Sequence, residues 1–159
     1  MRTSLIAGLA VLTLAVASPT LAVAKSKHAC SVNMTAKFVG VMVNSGNPPQ
    51  SGSNTSVATV DGTLCGKPFH GAARDMTRFH PRGKFNGLAV MFAPLGSITT
   101  MFEGTATLNP DHSATLHGKA TITGGTGLYK SAAGSNSFTG TQPPNSPVTT
   151  QHMSGTLTY

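Results

Sequence analysis

Apolar and polar residues alternate with a period of two through most of this chain. The pattern is clearest over residues 114–123, where apolar or small residues take every second position and His117, Lys119 and Thr121 lie between them. Such a period predicts a β-strand with one buried face. The interval 44–56 is rich in Pro, Gly, Ser and Asn and predicts a loop. Eight strands are expected, over about residues 30–43, 56–65, 69–79, 85–93, 97–108, 114–123, 135–141 and 150–159.

Short strands joined by tight turns, with no convincing helical period between them, predict an all-β sandwich or barrel. A repeated Phe-x-Gly pattern favours the barrel, because glycine permits sharp coiling and a neighbouring ring can cover the bare backbone. Coincidence in a glycine-rich chain is the alternative. The expected fold is an eight-stranded antiparallel β-barrel, lipocalin-like in shape. The pattern occurs at Phe38/Gly40, Phe69/Gly71, Phe85/Gly87, Phe102/Gly104 and Phe138/Gly140.

A glycine-rich turn, Gly124-Gly125-Thr126-Gly127, follows the clearest strand. These glycines allow the positive φ that a sharp reversal needs. A phosphate-binding loop is disfavoured, because the turn lacks a Gly-Lys-Ser/Thr ending and leads into no long helix. We therefore predict a structural role for Gly124, Gly125, Thr126 and Gly127.

That turn, with Tyr129 and Gly134, resembles the barrel of plant allene oxide cyclases and dirigent proteins and of a set of exported bacterial proteins. The segments 102–105 and 155–157 fit the bacterial version. The resemblance covers about residues 97–159. It implies an eight-stranded barrel with an interior cavity, often in trimers, that works without a cofactor. No catalytic motif of the plant enzymes matches this chain, and one fold hosts many functions.

The first 24 residues have the pattern of a cleaved signal peptide. Arg2 precedes an apolar run, and Ala22-Val23-Ala24 forms a small-x-small cleavage site. The run is too short for a membrane span, so no transmembrane segment is expected. We predict a secreted or periplasmic protein with a single barrel domain over residues 25–159.

Composition agrees with an extracellular β protein, because charged residues are 9% of the chain, Trp is absent and the formal net charge is +7. The two cysteines, Cys30 and Cys65, are expected to form a disulfide in an oxidising compartment. Two separate buried thiols are the alternative. By alternation Cys65 falls on the polar face and Cys30 on the apolar face. Either a bulge at Gly62 or Gly66 shifts the register, or the bond forms just past the strand end.

Asp75 is the candidate catalytic residue, because alternation places it on the same face as Phe69, Ala73 and Phe79. A carboxyl turned into an apolar barrel would have a perturbed pKa and could act as an acid or base. The alternatives are a register in which the basic face points inward, or an aspartate at the rim paired with Arg74 or Arg78. The candidate ligand-binding residues are inward-facing aromatics: Phe38, Phe69, Phe79, Phe102 and Tyr159.

A row of basic residues accompanies the third strand and the turn after it, and it could bind an anionic polymer. A solvated strand face is the alternative, and the face lacks the aromatic residues that stack on single-stranded nucleic acid. The six histidines show no metal-binding spacing, so no metal site is expected. The row contains Lys67, His70, Arg74, Arg78, His80, Arg82 and Lys84.

Three functions remain open on the sequence, and whether the protein is an enzyme is undecided. The first is an exported barrel that binds an apolar small molecule. The second is a cofactor-free isomerase or cyclase of the allene oxide cyclase type, for which an open cavity with a buried acid would be required. The third is a structural or adhesive envelope protein with a packed interior. Residues 85–93 are apolar on both faces, which either a partner subunit or a covering loop would explain.

Overall fold

The computed structural model describes residues 27–45 and 52–159. The predicted signal peptide lies outside these residues. The eight predicted strands are present, and each pairs antiparallel with its neighbours in chain order, with β1 also pairing with β8. The chain is therefore a closed eight-stranded antiparallel barrel, as predicted. The strands are β1 Ala29–Ser45, β2 Gly52–Leu64, β3 Lys67–Phe79, β4 Lys84–Ala93, β5 Gly96–Leu108, β6 Ala114–Gly125, β7 Ala133–Gln142 and β8 Val148–Thr158.

The largest difference from the sequence prediction is at the β1–β2 connection. The predicted loop over residues 44–56 is wrong at both ends, because β1 runs to Ser45 and β2 begins at Gly52. Pairing with β1 and β3 holds the polar segment 52–56 in the sheet although it has no apolar alternation. Tertiary pairing overrides weak local preference here.

Alternation sets the inner and outer faces of the barrel. On β1, Val32, Met34 and Ala36 are buried and the residues between them are mostly exposed. On β3, Phe69, Ala73 and Asp75 are buried, whereas Arg74 and Arg78 are exposed. The register that would turn the basic residues inward is therefore excluded.

One end of the barrel, which we call the floor, is packed. A short 3-10 turn over Gly127–Tyr129 follows β6, and Tyr129 and Ala132 are buried with Leu157 in the core cluster. The Tyr129 ring lies 5.4 Å from that of Tyr159. The opposite end, which we call the mouth, is formed where β3, β5 and β7 end and β4, β6 and β8 begin.

The glycine-rich turn brings β6 into the floor through close backbone contacts. Gly127 has φ 58°, and a Cβ at this position would meet the carbonyl oxygen of Leu95. Thr126 donates its N–H to the carbonyl of Ser97 at 3.0 Å and accepts the Ser97 N–H on its Oγ1 at 3.0 Å. The turn thus packs backbone against backbone at positions where a side chain has no room.

Cys30 and Cys65 are joined by a disulfide at the floor, with their Cα atoms 4.7 Å apart. The β1–β2 register is continuous from Val32 paired with Leu64 through Met34 paired with Gly62. A bulge at Gly62 is therefore excluded. Cys65 lies just past the strand end with φ 55°, which turns its side chain toward Cys30. This is the alternative in which the disulfide forms just past the strand end.

The Phe-x-Gly motifs place rings on glycines of neighbouring strands. Between β4 and β5, Phe85 is paired with Gly104 and Phe102 with Gly87. A Cβ on either glycine would meet the partner ring. Phe138 covers Gly118 of β6 in the same way. The predicted aromatic cover is therefore present at these three phenylalanines, and their rings are held inside the barrel near the mouth.

Candidate functional site

A cavity of about 240 Å³ occupies the mouth half of the barrel. Its wall is mostly aromatic and small aliphatic, with polar groups concentrated on β2 and β3. Small side chains such as Ala89, Ala106 and Ala120 leave the space that the rings do not fill. A second, smaller space of about 60 Å³ lies deeper among core residues. Large apolar pockets with a few convergent polar groups are the usual form of small-molecule sites.

Four phenylalanines from β3, β4, β5 and β7 form a connected aromatic wall. The Phe85 centroid lies 6.3 Å from Phe79 and 6.2 Å from both Phe102 and Phe138. Phe102 and Phe138 meet edge to face at 6.4 Å. Aromatic pairs at such distances favour fixed ring positions, so this wall is formed before any ligand arrives.

Next to this wall is a polar block of four residues, Asn54 and Ser56 on β2 with Asp75 and Thr77 on β3. Ser56 is paired with Asp75, and Asn54 with Thr77. All four line the cavity, and directly paired residues on one sheet face have neighbouring Cβ atoms. The block is therefore a compact set of polar groups that shares the cavity with the aromatic wall.

Asp75 is 7% exposed. The Ser56 hydroxyl donates a hydrogen bond to Asp75 Oδ1, and the Thr77 hydroxyl donates to Oδ2 at 3.4 Å. Burial away from water raises the pKa of the Asp75 carboxyl above 3.8, and the hydrogen bonds from Ser56 and Thr77 offset only part of that rise. In the described part of the chain, Asp75 has no cationic partner and is the one titratable residue lining the cavity.

Asn54 contributes a buried amide to the polar block. Its Oδ1 is enclosed by protein atoms and accepts no hydrogen bond from any described residue. Its side chain covers Gly40 of β1, where a Cβ would meet the amide group. A buried amide oxygen without a donor is uncommon in folded proteins.

The structure brings Phe38, Phe79 and Phe102 together with Asp75 around the cavity. The other two predicted ligand-binding residues lie elsewhere. The Phe69 ring covers Gly71 of its own strand and belongs to the core cluster, and Tyr159 packs at the floor. Alternation identifies the inward face but not the height along the barrel axis, so it could not separate these residues from those at the mouth.

Sequence reasoning missed several cavity residues. Phe85 and Phe138 were visible in the Phe-x-Gly repeat but were not assigned to the site. Asn54 and Ser56 fall in the segment predicted as a loop. Alternation places Thr77 on the same face as Asp75, but it does not single out Thr77 as a site residue.

The basic residues of the row on β3 and the turn after it face away from the cavity. Lys67, Arg74, Arg78, Arg82 and Lys84 are exposed, so neither Arg74 nor Arg78 compensates the Asp75 charge. No group of three His, Cys, Asp or Glu side chains able to hold a metal ion occurs among the described residues. Within the same residues, the search for a helix long and apolar enough to cross a membrane found none.

An exposed apolar row crosses three strands of the outer surface. Met76 of β3 is paired with Leu88 of β4, and Leu88 with Met101 of β5. These side chains are 59%, 37% and 59% exposed, respectively. The next row contains oppositely charged residues, Arg78 on β3 and Glu103 on β5.

Comparisons with protein-family models, curated proteins and solved structures find no match to this chain. The resemblance to allene oxide cyclases and dirigent proteins stays a prediction.

Proposed function

We propose that this barrel binds an apolar small molecule in the cavity at its mouth. The observation that carries the proposal is the division of one cavity into an aromatic wall and a compact polar block centred on Asp75. The apolar body of a ligand would lie against the rings, and its polar end would reach Asp75. This arrangement gives both apolar burial and orientation, which small-molecule sites need.

The cavity argues against a solidly packed barrel. Core side chains fill most of the floor half and leave a space of about 60 Å³, but the mouth half contains about 240 Å³. A purely structural barrel gains nothing from such a space, because unfilled volume in a core costs stability. A structural or adhesive role is therefore the least supported of the three functions.

A cofactor-free isomerase or cyclase is the second candidate, and the buried acid of an open cavity is the observation that favours it. Because burial raises the pKa of Asp75, the carboxyl is closer to the range in which a group can both give and take a proton. The resemblance to allene oxide cyclases points the same way. Binding comes first in either case, so the two functions share one site.

Export and self-association complete the proposal. The disulfide supports a secreted or periplasmic location, because such bonds persist in oxidising compartments.

The exposed row of Met76, Leu88 and Met101, with Arg78 and Glu103 beside it, supports a contact with a second copy of the chain. A trimer is what the family resemblance implies.

The experiment is mass spectrometry of small molecules carried through purification under native conditions, with a cavity-filling variant beside the wild type. Ala106→Phe adds a ring among the lining residues at the mouth, whereas Thr107→Phe adds the same ring to the exposed face of the same strand. We expect a co-purifying molecule with the wild type and Thr107→Phe and its loss with Ala106→Phe. Equal recovery with all three proteins would contradict the proposal.

The recovered molecule also separates binding from catalysis. It would be incubated with fresh wild-type protein and with Asp75→Asn, and the products analysed by chromatography. Conversion by the wild type alone would establish the isomerase, whereas unchanged material in both samples would favour a binding protein.

A further inference from the structure

The interior of the barrel has an unbalanced charge. Asp75 is buried at the cavity wall, and its hydrogen-bond partners are the neutral hydroxyls of Ser56 and Thr77. In the part of the chain that the structure describes, no Lys, Arg or His lines the cavity. An ionised buried carboxylate without a cation is costly, and a cationic partner removes most of that cost.

Among the described residues, the strands around Asp75 supply no cation to its carboxyl. Arg74 and Arg78 are the closest basic residues along β3, but both are exposed on the outer face. Opposite Asp75 on β4 is Ala89, whose methyl group leaves space in front of the carboxyl. On β2 the paired residue is Ser56, and its neighbour on the same face is Asn54. These three inward-facing neighbours are all uncharged.

The other unsatisfied group on this wall is also an acceptor. Asn54 Oδ1 is buried and has no donor among the described residues. That oxygen is enclosed by protein atoms, so the uncompensated acceptor that faces the cavity is the Asp75 carboxylate. A ligand head that donates hydrogen bonds and carries positive charge compensates this carboxylate, whereas an anionic head would be repelled by it.

The aromatic wall of the same cavity suits the rest of such a ligand. Phe79, Phe85, Phe102 and Phe138 form a continuous aromatic surface. Aromatic rings accept apolar bodies, and their faces also attract cations. The cavity volume of about 240 Å³ limits the ligand to a small molecule.

From this arrangement we infer that the ligand class is an apolar amine, with its ammonium group at Asp75 and its apolar body against the phenylalanine wall. The inference rests on the proposed function, because it specifies the chemistry of the same cavity. It assigns Asp75 the role of counter-ion to the ligand.

The test compares three probes of nearly equal shape, namely phenethylamine, phenethyl alcohol and phenylacetate, each titrated against ¹⁵N-labelled protein and followed by NMR. Charge-assisted hydrogen bonds are about twice as strong as neutral ones. We therefore expect the amine to bind at least about tenfold more tightly than the alcohol, and the acid to bind most weakly. Shifted amide signals should map to the strands around the cavity.

Asp75→Asn supplies the charge control. The Asn side chain keeps the shape and a hydrogen-bond acceptor but removes the charge, so the preference for amine over alcohol should fall to near unity while the alcohol still binds. Asp111→Asn removes a carboxylate from an exposed turn outside the cavity and should leave the preference unchanged. Amine affinity of the wild type should also decrease as the carboxyl is protonated in acid, whereas alcohol affinity should not decrease with it.

The outcomes separate the inference from the proposed function. Equal binding of amine and alcohol, or a preference that survives Asp75→Asn, would overturn the amine assignment and leave a neutral-ligand barrel. Absence of any localised binding by all three probes would overturn the assignment and count against the cavity as a ligand site. A preference for phenylacetate would overturn the charge argument directly.

Discussion

Replacing Asp75 by Asn should make the protein more stable at neutral pH. Most substitutions of a buried polar residue destabilise a fold, so the expected sign is unusual. It follows from the position of the carboxyl, which is 7% exposed and has hydroxyl partners but no cation among the described residues. Asn has nearly the same shape and can still accept the hydrogen bond from Ser56.

The same reasoning predicts how the stability of the wild type depends on pH. The unfolded chain has an ordinary Asp75 pKa of about 3.8, and burial raises the pKa in the folded state. Below pH 3.8 both states hold the proton, so the carboxyl group brings no ionisation cost. Between that value and the raised folded pKa, the native state binds more protons, and stability therefore falls as pH rises. Above the folded pKa the full free-energy cost of burying the ionised carboxylate persists.

The magnitude follows from the same linkage. Each unit of pKa shift corresponds to about 1.4 kcal/mol of destabilisation at neutral pH. Because the Asn variant has no charge to desolvate, we expect its free energy of unfolding at pH 7 to exceed that of the wild type by about this amount for each unit by which burial raises the folded pKa. The difference should shrink toward zero as the pH approaches 3.

Urea denaturation of both proteins across this pH range measures the effect, since the midpoint shifts without a change in slope when only stability changes. Asp111 provides a control of opposite sign. The hydroxyl and N–H of Ser113 donate to its carboxylate and hold its pKa below 3.8. That stabilisation is present above pH 3.8 and is lost as pH falls through the folded pKa, so Asp111→Ala should lose stability at neutral pH.

The reasoning about an uncompensated carboxylate would be refuted if Asp75→Asn were less stable than the wild type at pH 7. It would also be refuted if the variant's gain in free energy of unfolding did not vary with pH. A more stable variant has a further use. If it also loses the amine preference, the loss cannot be attributed to misfolding. Proteins often retain destabilising groups at functional sites, because activity there requires residues that do not maximise stability.

Three further outcomes test the architecture. Gly104→Ala should lower the free energy of unfolding by about 1–3 kcal/mol, because the added Cβ would meet the Phe85 ring and the carbonyl of His117. Thr105→Ala on the exposed face of the same strand is the control and should be nearly neutral. Thermal denaturation of both variants measures the difference. Replacing Cys30 and Cys65 together by Ser should cost roughly 4 kcal/mol, the chain-entropy value for a loop with a sequence separation of 35, and reduction of the wild type should have the same effect in urea. Met101→Lys, in the exposed apolar row, should shift the protein toward a monomer in light scattering, and a wild type that is already monomeric would remove the proposed self-contact.

The sequence was sufficient for the number and approximate bounds of the strands and favoured the correct inward face. On β3 the alternation of Phe69, Ala73 and Asp75 with basic residues is regular, so the direction of the Asp75 side chain could be predicted from hydrophobic pattern alone. The closed barrel was predictable because the Phe-x-Gly repeat recurs on several strands, and the structure shows why it recurs at Phe85 and Phe102, where each ring covers the other strand's glycine.

The polar block could not be predicted in the same way. Asn54 and Ser56 are polar residues on an inward face, so their segment shows no apolar alternation and resembles a loop. Only pairing with β1 and β3 holds them in the sheet. The side chains that serve a site are thus the ones that break the pattern from which a strand is recognised. Cys65 is a related case, because its position depends on a positive φ in the turn.

In the part of the chain that the structure describes, the barrel offers a way in at the mouth alone. At the floor, Tyr129, Leu157 and the disulfide close the interior, so a bound molecule must leave through the opening by which it arrived. An incoming competitor cannot push the occupant out from behind, and exchange passes through an empty barrel. The rate at which one ligand replaces another should then be set by spontaneous release and be independent of the competitor's concentration.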